Sequence, residues 1–207
     1  MRRPRRLGLF AMILGTLVLP RGGWGADPAP TTLFGWGKQS LGISAGYGFA
    51  VPTGETTGEL ADVEYVYVVP RWSIGLSDPL GGDAWYRGNV ELVAEGALLF
   101  AVEPDDGFAG GITAMVRYNF LPAGRLIPFV QGGAGILFLD LDLEDAGRAD
   151  DFNFSPQAGV GIHYFFSGRT AFTGEWRWHH ISNAHIDEPN RGINSSLFLI
   201  GVTTFLK

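Results

Sequence analysis

The sequence predicts an all-β chain, an eight-stranded antiparallel up-and-down transmembrane β-barrel, on three observations. Alternation of period two recurs from Leu41 to the C-terminus. Glycine is abundant at 31 residues and aromatics reach 13%, while charged residues are only 17%. Strands with one face toward lipid and the other toward a narrow lumen have this composition. Beyond the N-terminal stretch, no uninterrupted apolar run reaches the ~20 residues that a membrane helix needs. A soluble lipocalin-like barrel shares the composition but would turn its bulky faces inward. Here the polar strand positions are sparse and small, which suits the inside of a tiny barrel.

The first residues stand apart from the barrel. Arg2, Arg3, Arg5 and Arg6 precede an apolar run, Leu7 to Leu19, that is short for a bilayer-spanning helix. Gly23-Trp24-Gly25 before Ala26 puts small residues where signal peptidase reads them. The expected organisation is a signal peptide over 1–25, a periplasmic N-terminal segment over 26–40 and an outer-membrane β-barrel over 41–207. A membrane anchor is the alternative for the leader. Cleavage takes five of the 15 basic residues and no acids, leaving 10 against 21 and a net charge near −11. That balance argues against non-specific nucleic-acid binding. The absence of cysteine excludes a disulfide framework and a thiolate metal site. No metal or cofactor is expected.

The strands follow in order. The first, 41–50, sets Leu41, Ile43, Ala45, Tyr47 and Phe49 against glycine, serine and alanine. The second, 63–77, alternates Val63, Tyr65, Tyr67 and Val69 with Glu64, Val66 and Val68. Pro70 then predicts a bulge, because proline cannot donate to the ladder. The third, 89–102, opposes Val90, Leu92 and Ala94 to Glu91, Val93 and Glu95. The fourth, 110–120, opposes Ile112, Val116 and Tyr118 to Thr113, Met115 and Arg117. The fifth, 126–138, is glycine-rich and its facing is open. The sixth, 152–166, alternates most clearly, with Phe152, Phe154, Val160 and Ile162 against Asn153, Ser155, Gln157 and His163. The seventh, 171–182, sets Phe172, Trp176, Trp178 and His180 against Thr173, Glu175, Arg177 and His179. The eighth covers 194–206.

Glu91, Glu95, Arg117, His163, Glu175, Arg177 and His179 all fall on the small or polar faces. They predict a charged hydrogen-bonded network filling the lumen rather than a channel. Connections at 52–62, 103–109, 139–151 and 183–193 average longer than those at 78–88, 121–125 and 167–169. Long loops outside and short turns inside put the N-terminus in the periplasm and 180–193 at the extracellular rim. The acids of the third long loop, Asp140, Asp142, Glu144, Asp145, Asp150 and Asp151, match no calcium-loop spacing and read as a solvated loop.

One segment breaks the barrel pattern: WHHISNAHIDEPNRGIN, from Trp178 to Asn194. Alternation puts Trp176, Trp178, His180 and Ser182 on the lipid-facing side. The tryptophans suit an interfacial aromatic girdle. An ionisable residue facing lipid is costly and therefore a functional candidate. Residues i and i+2 of a strand project the same way, about 7 Å apart. Side chains leaning together can make Ser182 and His180 the nucleophile and base of ester hydrolysis. Asn183 and the amides after it can donate to an oxyanion. On spacing alone an ordinary interfacial rim is the stronger account and a hydrolase the sharper one.

His180-Ile181-Ser182-Asn183-Ala184, then Pro189-Asn190, then Gly192-Ile193, resembles the signature of the lipid A 3-O-deacylase family of outer-membrane enzymes. The resemblance implies a barrel with its site on the outside wall, facing the outer leaflet. It implies removal of the ester-linked acyl chain at position 3 of lipid A, with lipid A or lipopolysaccharide as partner and no cofactor. By the same resemblance Ser182 is the nucleophile and His180 the base. Asn183 and the backbone near His185 help form the oxyanion hole, and Asn190 supports the loop. The family's acid is a glutamate where this chain has Asn194, so the histidine-orienting place falls to an amide. Its carbonyl accepts an imidazole N–H but carries no charge. Asp187 and Glu188 are alternative acids if the loop folds back. His185 stands where a smaller residue is usual. The competing expectation is a non-catalytic barrel that binds lipid or an extracellular partner and keeps a degenerate site. A homodimer is left open.

Overall fold

The computed structural model describes residues 29–54, 56–104, 106–140, 151–186 and 191–206. The expected leader over 1–25 and most of the acidic loop lie outside these residues. Eight strands close into one antiparallel barrel in sequence order, with β8 returning to pair with β1. They are β1 (Gln39–Ala50), β2 (Glu64–Gly75), β3 (Gly88–Glu103), β4 (Gly107–Phe120), β5 (Leu126–Asp140), β6 (Asp151–Phe165), β7 (Thr170–Ile181) and β8 (Ile193–Phe205). Each predicted strand is present. Closure leaves no ladder edge unpaired, which a sheet in hydrocarbon requires. Among the described residues no helix is long and apolar enough to cross a membrane.

Two sequence expectations change in detail. The third connection shrinks to 104–106, because β3 and β4 pair as far as Ala101↔Gly107 and run on past the alternation that marks them. Pro70 makes no bulge: it pairs with Ile43 of β1 in unbroken register. The β2–β3 ladder skips Val69 and Pro70 and resumes at Arg71↔Glu95 in the same register. Pro70 is exposed on the outer face, and its ring lies over Gly96, where a Cβ would meet Pro70 Cγ at 2.9 Å. A missing side chain opposite the ring does the accommodating that a bulge would otherwise do. The register shift in β2 falls instead between Glu64 and Tyr65.

The row of partners starting at Ser182 defines the stagger. It runs through Phe154, Ile136, Ile112, Gly96, Pro70, Ile43 and Val202 and regains β7 at Phe172, ten residues from its start. A shear of this size tilts the strands by about 40°. Rows of outward side chains therefore wind down the wall rather than circling it level.

The lumen is filled in three layers. At the end with the long loops sits an apolar cluster including Leu60, Tyr65, Tyr67, Leu137, Ile181 and Leu197. At the other end, the 3-10 turn Pro30–Leu33 tucks Leu33 and Phe34 into a plug with Ile127, Phe165 and Phe205. The N-terminal segment thus closes its end of the barrel, and β1 begins two residues before the expected Leu41. Between the plugs lies the charged network. Arg71 and Arg177 alternate with Glu95 and Glu175 in a ring of four ion pairs at 2.5–2.7 Å. Arg117 bonds Gln131, and Gln131 bonds Glu175. Within the ring such charges are tolerable when dry because each meets two of opposite sign. The outer face is the reverse, with Ile43, Ile112, Val160, Phe172, Phe198 and Ile200 exposed. An apolar outside around a charged inside is the pattern of a membrane β-barrel.

Candidate active site on the outer wall

The strand alternation splits two adjacent histidines. His179 points inward and is fully buried, between Ser155 Oγ at 2.7 Å and Tyr65 Oη at 2.8 Å. His180 points outward, where Trp178 lies parallel to its ring at 5.7 Å between centroids and 6° between planes. β7 formally ends at Ile181, but Ser182 stays in the sheet through one further bridge. Its N–H bonds Phe154 O at 3.1 Å and its carbonyl accepts Phe154 N–H at 2.8 Å. This last rung holds Ser182 on the same outer face as His180.

The two side chains meet. Ser182 Oγ lies 3.0 Å from His180 Nε2, and His180 Nδ1 lies 2.8 Å from Asn194 Oδ1. Asn194 is the direct cross-strand partner of His180 on β8. Residues 14 apart in sequence thus come together through ladder geometry alone. An amide oxygen can only accept, so Nδ1 carries the imidazole proton and Nε2 is left bare toward the serine hydroxyl. That is the tautomer a general base needs.

Gly192 makes room for the ring. A Cβ there would lie 2.6 Å from His180 Cε1 and 3.2 Å from Nε2. Thr53 and Thr56 of the loop after β1 close the far side. Thr56 is fully buried, and its hydroxyl donates to Gly192 O and accepts from the Asn194 backbone N–H, both at 2.9 Å. Gly192 stands within the motif read from sequence. Thr53 and Thr56 had no sequence signal, being about 140 residues from the partners they hold.

The turn after Ser182 is strained. Ala184 and His185 both take left-handed backbone conformations, with φ of 54° and 60°. Each such non-glycine residue costs on the order of 1 kcal/mol or more, and strain of this kind clusters at functional sites. Asn183 is buried at 3% exposure, so its side chain turns away from the face that carries Ser182. Its Oδ1 accepts the His185 N–H at 3.0 Å, and its carbonyl accepts the Ile186 N–H at 3.1 Å. The Asn183 carboxamide therefore braces the turn from inside, and the His185 amide is engaged with it. Asn190 and the alternative acids Asp187 and Glu188 lie outside the described residues.

A groove of about 760 Å³ opens on the outer wall beside this site. Phe154, the ladder partner of Ser182, forms one end; Ala134, Ala114, Ala94 and Gly96 form its floor, and Trp72 and Pro70 the other end. Ala134, Ala114 and Ala94 pair across neighbouring strands and create the depression, and Phe154, Ile136, Ile112 and Gly96 of the parallel tilted row that begins at Ser182 run along its side.

Comparison with known proteins agrees with this architecture. The family model described as lipid A 3-O-deacylase (PagL) matches residues 61–203, well over half of the chain and including His180, Ser182 and Asn194. The crystal structure of the outer membrane enzyme PagL is similar at a TM-score of 0.55, with 16% identity over 78% of this chain and 97% of that one. Neisserial surface protein A is similar at 0.51, with 12% identity over 81% and 96%. These two likenesses concern the fold. A comparison with curated proteins returned no significant match. On the family match, the chain belongs to the lipid A 3-O-deacylase (PagL) family.

Proposed function

We propose that the chain is an outer-membrane esterase that removes the acyl chain ester-linked at the 3-O position of lipid A. In this reading Ser182 is the nucleophile and His180 the base. The observation that carries it is the relay Asn194–His180–Ser182, with steps of 2.8 and 3.0 Å on the outer wall. A lumen site would never meet a lipid; this one opens where the bilayer delivers acyl chains.

The steps balance without metal or cofactor. Ser182 Oγ attacks the ester carbonyl carbon while His180 Nε2 takes the hydroxyl proton. The imidazolium returns that proton to the departing sugar 3-oxygen, leaving an acyl-serine. Water then attacks the acyl carbon, again deprotonated by His180, and the 3-hydroxy fatty acid leaves as Ser182 recovers its proton. The developing oxyanion draws on the amides of the 183–185 turn. A charged acceptor competes well with the neutral Asn183 Oδ1 for the His185 N–H, because charge-assisted hydrogen bonds are roughly twice as strong. The groove leading from Phe154 receives the acyl chain.

Asn194 favours a second reading, a lipid-binding barrel with a degenerate site, since an amide cannot offset the imidazolium charge. The two separate in one experiment. Purified barrel in detergent is incubated with lipid A, and released 3-hydroxy fatty acid is followed by mass spectrometry. Release that falls about 10³-fold or more in Ser182→Ala and His180→Ala supports the esterase. Release unchanged in both variants removes the site, and no release from the wild type leaves the binding reading.

A further inference from the structure

Asn194 sits in a socket made for an amide. Its side-chain nitrogen has two hydrogens and two acceptors: Thr53 O at 3.1 Å and Thr56 Oγ1 at 3.2 Å. Thr53 O is a backbone carbonyl and can only accept, so the nitrogen must face it and Oδ1 must face His180. The Thr56 hydroxyl is used to capacity, donating once to Gly192 O and accepting from Asn194 N and Nδ2. The loop bearing both threonines is itself pinned: Val51 N–H donates to Asn194 O at 2.7 Å, and Leu60 of the following 3-10 turn is fully buried. Thr53 and Thr56 lie ahead of the stretch that the family model matches.

We propose that Thr56, with the Thr53 carbonyl, is a positioning device that locks the Asn194 amide in one orientation, so that an uncharged residue fixes the His180 tautomer. This rests on the Ser182–His180 reading above. An acid at 194 is then disfavoured rather than awaited. A carboxylate there would set an oxygen against Thr53 O, acceptor against acceptor, and would take the side-chain donor from both, leaving the Thr56 hydroxyl only the backbone N–H of residue 194. The site is adapted to asparagine rather than damaged by it.

The test uses the full mature barrel in detergent micelles with lipid A. Thr56→Val keeps the shape and removes the hydroxyl; kcat is expected to fall about ten- to a hundredfold with KM changed less than about twofold. Thr56→Ser, which retains a hydroxyl, restores most of the rate. The isosteric Asn194→Asp is expected to lower kcat. A tenfold or greater rise in Asn194→Asp, or wild-type kinetics in Thr56→Val, overturns the proposal. Nitrogen-15 NMR of histidine-labelled barrel, with His180 identified by its loss in His180→Gln, gives a readout independent of turnover. The proposal expects one neutral tautomer protonated at Nδ1 in the wild type and a mixture in Thr56→Val. The same single tautomer in both overturns it. Undiminished release by Ser182→Ala would instead sink the catalytic reading, and the spectra would still decide the orientation of the amide.

Discussion

His179 and His180 are adjacent in sequence and stand on opposite sides of the barrel wall, each with a serine at its Nε2: Ser155 at 2.7 Å inside and Ser182 at 3.0 Å outside. The inner pair has a third member too, Tyr65 at Nδ1. Distances alone would not choose between them. Accessibility does, because His179 is wholly enclosed and no ester can reach it. His180→Gln is expected to abolish deacylation. His179→Gln should retain it while lowering stability by about 1–3 kcal/mol, as Ser155 and Tyr65 lose a buried partner. Parallel assays of fatty-acid release and urea unfolding check both, and loss of activity in a folded His179→Gln would move the chemistry inside.

Gly192 is expected to be intolerant of even one methyl group. A Cβ would lie 2.6 Å from His180 Cε1 on a ring already flanked by Trp178. The imidazole must then shift away from Ser182, and a displacement near 1 Å costs about a hundredfold in rate. Gly192→Ala should therefore fold, bind lipid A with similar KM and turn over about a hundredfold slower. Steady-state kinetics on the folded variant decide it.

Most of this was legible because barrels are written in a simple code. One alternation determines strand, facing and, at His179–His180, which of two like residues meets lipid. The Trp178-to-Asn194 segment announced itself by placing an ionisable residue on the wrong face. Two things were hidden. Pro70 suggested a bulge because its solution, an absent side chain at Gly96, lies on another strand. Thr53 and Thr56 were invisible because their role depends on barrel closure, which brings the loop after β1 against β8. The burial of Asn183 continues the same alternation one residue past the outward Ser182.

The four-charge ring should behave as a unit. Arg177 bonds both Glu95 and Glu175, and Arg71 pairs with the same two acids. Truncating one member leaves an uncompensated buried charge, so Arg177→Met is expected to destabilise by about 3–5 kcal/mol. The ring lies inside the wall and does not touch the outer site, so turnover per folded barrel should be preserved. Urea titration of the fold, paired with specific activity of the folded fraction, measures the two effects separately.

The groove predicts chain-length selection. Its floor is recessed because Ala94, Ala114 and Ala134 are small, and it starts at Phe154, bonded directly to Ser182. An acyl chain leaving the serine along this row descends with the tilted strands into the hydrocarbon layer. Ala114 is exposed and faces lipid, so Ala114→Leu exchanges one apolar surface for a bulkier one with little cost to the fold. It should block the groove midway. Release of long 3-hydroxy acyl chains should then fall about tenfold or more in kcat/KM while short chains are spared, since each methylene in a fitted apolar site is worth roughly 1–3 kcal/mol. A uniform loss across chain lengths would place the acyl chain elsewhere on the wall.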